Sequence, residues 1–293
     1  MRGFVDAPRG GPSTEVRLTA YDGGVARPRF DRVATEEPLE IRLRAGGSTQ
    51  SVAITMRTPG NDFELAAGFL YAEGLVDERA ALRGITYCLD RDVEAEQRYN
   101  VVSVELAGGE LPSLAGIERH FATTSACGVC GKASLDALRA RGLAALPSDS
   151  DASLEAGTLV ALPDALRAAQ GVFATTGGLH AAALFDLAGT LVAVREDVGR
   201  HNALDKLIGW ALMAGRLPLT RTAILVSGRA SFELAQKAIV AGAPILAAVS
   251  APSSLAIAVA REFGLTLAGF VRGARFNVYT GERRILAGAR ASE

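Results

Sequence analysis

The stretch Ala223–Val249, AILVSGRASFELAQKAIVAGAPILAAV, decides the fold. Ala223 to Val226 is a short apolar run with no polar alternation, which predicts a strand buried on both faces. Ser227, Gly228 and Arg229 then turn the chain. Ser231 to Ala241 reads as a helix, with Gly242 placed to end it. Ile245 to Val249 is a second buried strand. Two buried strands joined through a helix imply parallel neighbours in one sheet. Working outward, Leu255 to Phe263 reads as a helix capped by Ser253 or Ser254 and ended by Gly264. Leu265 to Val271 and Arg275 to Thr280 read as further strands. Upstream, Arg200 to Ala214 is a helix whose buried face is Leu204, Leu207, Ile208 and Ala211, with Gly215 as its stop. Ala181 to Asp186 and Leu191 to Glu196 form a strand pair around a turn at Ala188-Gly189. Residues 156–288 are therefore expected to be an α/β domain with a largely parallel sheet covered on both faces.

The first part of the chain has a different rhythm. Residues 1–13 read as a flexible tail rich in Gly and Pro. Residues 14–121 read as a small β-rich α+β domain. Leu39, Ile41 and Leu43 alternate with Glu40, Arg42 and Arg44, as in a half-buried strand. Val52, Ile54 and Met56 repeat the pattern, as do Ile85, Tyr87 and Leu89, then Val102, Val104 and Leu106. One helix interrupts them in RTPGNDFELAAGFL, Arg57 to Leu70. Its buried stripe is Phe63, Ala66, Ala67 and Leu70, with Asn61 or Asp62 as cap and Gly74 as stop. Residues 122–155 hold a cysteine loop, a helical pattern from about Ser134, and the polar segment Pro147 to Glu155.

Whole-chain quantities exclude some functions. The net charge is −1 and 22% of the 293 residues are charged, so no global basic field argues for nucleic-acid binding. Three cysteines fit a reducing compartment better than a disulfide framework. MRGFVDAPRGGPSTE has no apolar core of the signal-peptide kind. The most apolar region, Gly242 to Phe270, is broken by Pro244, Pro252, Ser253, Ser254, Arg261 and Glu262, too often for a membrane span. A cytoplasmic protein is expected.

The loop TSACGVCGK, Thr124 to Lys132, holds two of the three cysteines. Cys127 and Cys130 each precede a glycine, on a loop just before a helix start. The helix dipole and Lys132 would favour a thiolate there. Four readings fit: small residues in a glycine turn, half of a zinc site, a dithiol/disulfide switch, and a persulfide-carrying thiolate. Zinc would need His120 or pairs pooled from two chains.

Polar clusters fall at the ends of elements in the second domain. REDVGRHNALDK, Arg195 to Lys206, places Arg200 and His201 in a first helical turn, where backbone N–H groups attract anions. His201 and Asp205 stand four apart, so the carboxylate is expected to orient or charge the imidazole. A well-capped helix with surface ion pairs would explain the same residues, with Asp197 as cap. SGRASFELAQKA sets Ser227, Gly228 and Arg229 at the carboxyl end of a buried strand, where open α/β sheets bind ligands. A plain turn fits it equally. FVRGARFNVYT flanks a Gly-Ala turn with Arg272 and Arg275, and a hairpin with solvated arginines fits it as well. TTGGLHAAALF brings His180 to a strand start, where a structural role is the commoner one. Together these clusters predict a pocket for a polyphosphate or nucleotide-like ligand.

TSACGVCGK, REDVGRHNALDK, SGRASFELAQKA and the run through FVRGAR resemble the formate dehydrogenase accessory sulfurtransferase family, FdhD. RTPGNDFELAAGFL resembles its N-terminal part, and the likeness spans roughly residues 35–281. The resemblance implies a sulfur carrier for molybdenum or tungsten formate dehydrogenases. Cys127 would take a persulfide from a cysteine desulfurase, with Cys130 assisting. Phe270, Val271, Arg272, Gly273, Ala274 and Arg275 would bind the molybdenum bis(molybdopterin guanine dinucleotide) cofactor as sulfur acceptor, with no resident metal. Partners would be the desulfurase, the apo formate dehydrogenase and a second copy in a homodimer, with neither nucleic acid nor membrane. The resemblance also implies a three-layer, cytidine-deaminase-like larger domain. Zinc deaminases need H-x-E and P-C-x-x-C on consecutive helices. Here His201-Asn202-Ala203 lacks the glutamate and the second helix lacks cysteine, which argues against deamination. A non-catalytic cofactor chaperone and a CxxC dithiol oxidoreductase remain the alternatives.

Overall fold

A computed structural model describes residues 11–88, 97–113, 138–140, 142–147 and 152–287. The loop with Cys127 and Cys130, His120, and most of the helix expected from Ser134 lie outside the described residues. Four strands open the chain: β1 (Ser13–Asp22), β2 (Val25–Ala34), β3 (Glu37–Ala45) and β4 (Ser48–Arg57). Helix α1 (Asp62–Glu73), β5 (Leu82–Tyr87) and β6 (Val101–Leu106) follow. β1 and β2 pair antiparallel around Gly23-Gly24, a ribbon separate from the four-stranded sheet β4-β3-β6-β5. Sequence reasoning passed over this hairpin, although two adjacent glycines between strands are a turn signal.

The small sheet buries one face, and the alternation in its strands follows from that. Leu39, Ile41 and Leu43 pack with Ile85, Val102 and Val104 against Phe63, Ala66, Ala67 and Leu70 of α1. β4 departs from the expected alternation. Val52 and Ala53 are both buried, while Ile54 and Met56 are exposed. The cause is a register shift: Ile41 pairs with Ala53 and Arg42 with Ser51, so Val52 is the extra residue of a bulge. One inserted residue moves the rest of the strand to the opposite face.

The second part comprises β7 (Leu154–Glu155), α2 (Ala156–Ala169), α3 (Gly171–Thr176), β8 (His180–Asp186), β9 (Leu191–Asp197) and α4 (Arg200–Met213). It continues with β10 (Thr222–Val226), α5 (Phe232–Val240), β11 (Ile245–Ala248), α6 (Ser254–Glu262), β12 (Thr266–Arg272), β13 (Arg275–Thr280) and β14 (Ile285–Leu286). The sheet order is β13-β12-β11-β10-β8-β9. β10, β11 and β12 are parallel, while β8, β9 and β13 join antiparallel, so the sheet is mixed rather than largely parallel. Strand residues alternate between two cores. Leu184, Ile224, Leu246 and Leu267 face α4, α5 and α6. Phe185, Leu225, Ile245 and Ala247 face Leu159, Leu162 and Leu166 of α2. The result is a three-layer α/β arrangement with both faces covered. Helix α2 was not anticipated; its Pro163 disguises an apolar spacing that is otherwise helical.

The two parts meet where α1 crosses α4. A Cβ on Gly68 would lie 1.8 Å from the Asp205 carbonyl oxygen, and one on Gly209 would lie 1.8 Å from that of Glu64. Only glycines allow the two backbones this approach. Packed on both sides, α1 buries Asp62, Leu65 and Gly68 as well as its expected stripe. Among the described residues no helix is long and apolar enough to cross a membrane.

Candidate functional site at the carboxyl edge of the large sheet

Topology decides which loops share an edge. Because β10, β11 and β12 run parallel, the turns after Val226, Ala248 and Arg272 lie at one end of the sheet. β8 runs the other way, so it begins at that end with His180, and His180 pairs with Asp197, the last residue of β9. Helices α4, α5 and α6 all start there. The edge therefore carries three helix N-termini, which favour anions; in α6 the Ser253 hydroxyl already takes the Ala256 N–H.

Hydrogen bonds knit the rim. Ser227 donates its N–H to Ala181 O (2.9 Å), and its hydroxyl accepts from Ala181 N (2.9 Å). Ala230 N donates to Ala251 O, Ser253 N to Ala230 O, and Phe270 N to Ser250 O. The rim thus joins the three sequence clusters expected to cooperate, and adds the Ser250–Ser253 turn, which was not singled out. Gly228 lies close to the His180 ring: a Cβ there would meet Nδ1 at 3.3 Å. Phe270 holds φ 55°, and with Asn61 it is one of two non-glycine residues at positive φ among those described. Such a conformation in an aromatic residue persists only where the surroundings enforce it. Its backbone is fixed by Ser250, and its ring lies 5.5 Å from the Arg272 guanidinium. Gly273-Ala274 forms the expected two-residue turn, with Arg272 paired to Arg275 across the hairpin and all four exposed; Val271 just before it is buried.

The charges of the edge are unbalanced. Arg200, Arg229, Arg272 and Arg275 make no ion pair with any carboxylate among the described residues. Arg229, Arg272 and Arg275 are exposed and Arg200 is half-buried. The Glu233 carboxylate is engaged: its Oε2 stands 2.6 Å from His201 Nε2, which also lies 3.3 Å from Ser231 Oγ. The hydrogen bond to His201 holds the Glu233 carboxyl below the usual carboxylate range. His180 is held below the ordinary imidazole value by burial first, then by Arg200 and His201. It stays neutral at the pH where it would otherwise start to charge.

Two expectations need correction. Asp205 does not hydrogen-bond His201; Glu233 does so from the first turn of α5. Asp205 is buried and takes the Lys237 ammonium at 2.7 Å instead. Helical spacing correctly put Asp205 on the face below His201, but burial on that face left it to a buried lysine. Asp197 was expected as a helix cap. Gly199 is the cap position, and Asp197 Oδ1 accepts from Gly199 N at 2.8 Å.

Four arginines without carboxylate partners among the described residues, three helix starts and the His180 imidazole lie along one edge of the sheet, an arrangement suited to an extended polyanion.

Comparison with known proteins agrees with the resemblance. Residues 34–286 match the FdhD/NarQ family. The chain is 57% identical over 272 residues to the sulfur carrier protein FdhD of Streptomyces avermitilis, covering 93% of this chain and 95% of that one. It is 43% identical over 271 residues to the protein of the same name from Sulfolobus acidocaldarius, covering 92% and 98%. The crystal structure of a candidate formate dehydrogenase accessory protein from Desulfotalea psychrophila superposes with a TM-score of 0.71 at 26% identity, covering 94% of this chain and 99% of that one. This chain belongs to the FdhD/NarQ family.

Proposed function

We propose that this chain is a sulfurtransferase that carries persulfide sulfur to the molybdenum or tungsten bis(molybdopterin guanine dinucleotide) cofactor of a formate dehydrogenase. The single observation that supports the reading is the arginine-lined rim on a chain whose relatives are named sulfur carrier proteins. The cofactor is the cargo. Its phosphates would meet Arg200, Arg229 and the Phe270–Arg275 hairpin, with Ser227 and His201 on the same rim. The larger part would then be a cytidine-deaminase-like scaffold reused to hold a nucleotide. The protein would act in the cytoplasm, as a homodimer, between a cysteine desulfurase and the apo-enzyme.

Charging is thiol exchange. The Cys127 thiolate attacks the outer sulfur of the desulfurase persulfide; a new S–S bond forms on Cys127 and the desulfurase leaves as a thiolate. Delivery reverses the logic. The outer sulfur must gain two electrons to leave as sulfide. Attack by Cys130 on Cys127 supplies them and leaves a Cys127–Cys130 disulfide, which a cellular dithiol reduces.

The test uses a cell lacking its own copy of the gene. Wild type restores formate dehydrogenase activity; Cys127→Ala and the pair Arg272→Ala/Arg275→Ala do not. Restoration by Cys127→Ala would instead support a chaperone that only shelters the cofactor.

A further inference from the structure

We propose that Lys206 and Asp197 are positioning residues for the ligand rim: their buried ion pair, with Thr58 of the small sheet's α1-side loop locked into it, aims Arg200 at a bound phosphate. The inference rests on the reading of the rim as a nucleotide-phosphate site. Lys206 sits on α4 with its side chain 1% exposed, and Asp197 is fully buried. An ammonium has three donors. Here they meet Asp197 Oδ2 at 2.7 Å, Thr58 O at 2.8 Å and Glu196 O at 3.4 Å. The Asp197 carboxylate is equally committed. Oδ2 also accepts from Thr58 N at 3.2 Å, and Oδ1 accepts from Gly199 N at 2.8 Å and Asn202 Nδ2 at 3.1 Å. Thr58 returns the contact, its hydroxyl accepting from Val198 N. Asn202 reaches the same loop, donating to Met56 O at 2.7 Å and accepting from Thr55 Oγ1 at 3.2 Å.

Arg200 and His201 are the two residues between Gly199 and Asn202, and Asp197 holds both of those. The first turn of α4 thus cannot shift without breaking the pair. A buried ion pair is a poor way to gain stability, since apolar residues of similar volume often serve as well. It is a good way to fix one geometry, because both carboxylate oxygens of Asp197 and the ammonium of Lys206 are fully engaged. The small sheet's loop is then part of the ligand site, although it contributes no charge to the rim.

GDP, a fragment of the proposed cargo, is the probe. Its affinity is measured by calorimetry for wild type, Arg200→Ala, the neutral pair Asp197→Asn/Lys206→Met, and all three changes together. Thermal melts confirm that each is folded. Arg200→Ala should weaken GDP about tenfold, the worth of one charge-assisted hydrogen bond. The neutral pair should weaken it about tenfold as well. The three together should also stand at about tenfold, not a hundredfold, because positioning acts through Arg200. Should the neutral pair not fold, Asn202→Ala removes one arm of the clamp with the ion pair intact, and about a threefold loss, absent in the Arg200→Ala background, is expected. Unchanged affinity in the folded clamp variants, or losses that multiply with Arg200→Ala, overturns the proposal. Wild-type binding that Arg200→Ala leaves untouched overturns it alone; no binding by wild type overturns the nucleotide reading and this proposal with it.

Discussion

The seam between the two sheets and the rim of the large sheet use the same residue types in opposite ways. At the seam, charge is matched. Arg57 is fully buried and donates to both oxygens of Asp62 at 3.0 Å. Arg195 forks onto Glu64, Lys206 meets Asp197, and Lys237 meets Asp205. At the rim, Arg200, Arg229, Arg272 and Arg275 have no carboxylate partner among the described residues. Cations that the fold requires are satisfied by the fold. Cations that it leaves unsatisfied are available to a ligand. The difference separates two meanings of arginine that composition alone merges.

Substitutions can break that contrast. The largest effect is expected at the helix crossing. Gly209→Ala would drive a methyl group into the Glu64 carbonyl, and helix α1 would have to move away from α4. A loss above about 4 kcal/mol, or failure to fold, is expected in denaturant melts. Next is Arg57→Ala, which removes a fully buried guanidinium and the two hydrogen bonds it donates to Asp62; about 3–5 kcal/mol should be lost. Asp205 gives a pH signature. Burial, opposed by Lys237, raises its pKa from 3.8 to about 6. Between those values the folded chain keeps a proton that the unfolded chain has lost. That contribution to stability is present at low pH and disappears as pH rises through about 6. Wild type should therefore lose about 1–3 kcal/mol against Asp205→Asn between about pH 4 and pH 7, read as the difference between their melts. A difference that stays flat would contradict the burial argument. At the rim the opposite pattern is expected. Arg272→Ala/Arg275→Ala should change stability by less than about 0.5 kcal/mol while weakening GDP, because these side chains are exposed and pair with no carboxylate. If they destabilise like Arg57→Ala, the contrast fails.

Much of the large sheet was legible because its physics is local. Ala223–Val226 and Ile245–Ala248 are apolar throughout, and only a doubly covered strand buries such runs. Helix stops at Gly74, Gly215 and Gly242 were legible because each adopts positive φ. The bulge at Val52 was not, since one extra residue leaves no mark in an alternating pattern. Nor was the choice of partner for His201. Spacing within α4 offered Asp205, but Glu233 arrives from another helix through the sheet's topology. The clamp had one faint signal, a lysine at 206 between the buried Leu204 and Leu207. A lysine on an apolar helical face must find acceptors, but nothing local names Thr58, which lies far upstream in the chain. The sequence shows the rim only as separate clusters; parallel strand order puts them on one edge.

The account stands or falls on whether this chain carries sulfur. The purified protein is incubated with a cysteine desulfurase and cysteine, and its intact mass is taken without reductant, alongside Cys127→Ala and Cys130→Ala. The account predicts a species heavier by one sulfur atom in wild type and in Cys130→Ala, and none in Cys127→Ala. Folded Cys130→Ala that gains no sulfur would contradict it, because it keeps Cys127 and lacks the thiol that could release the load; a wild-type Cys127–Cys130 disulfide together with an uncharged Cys130→Ala would make the protein a dithiol oxidoreductase.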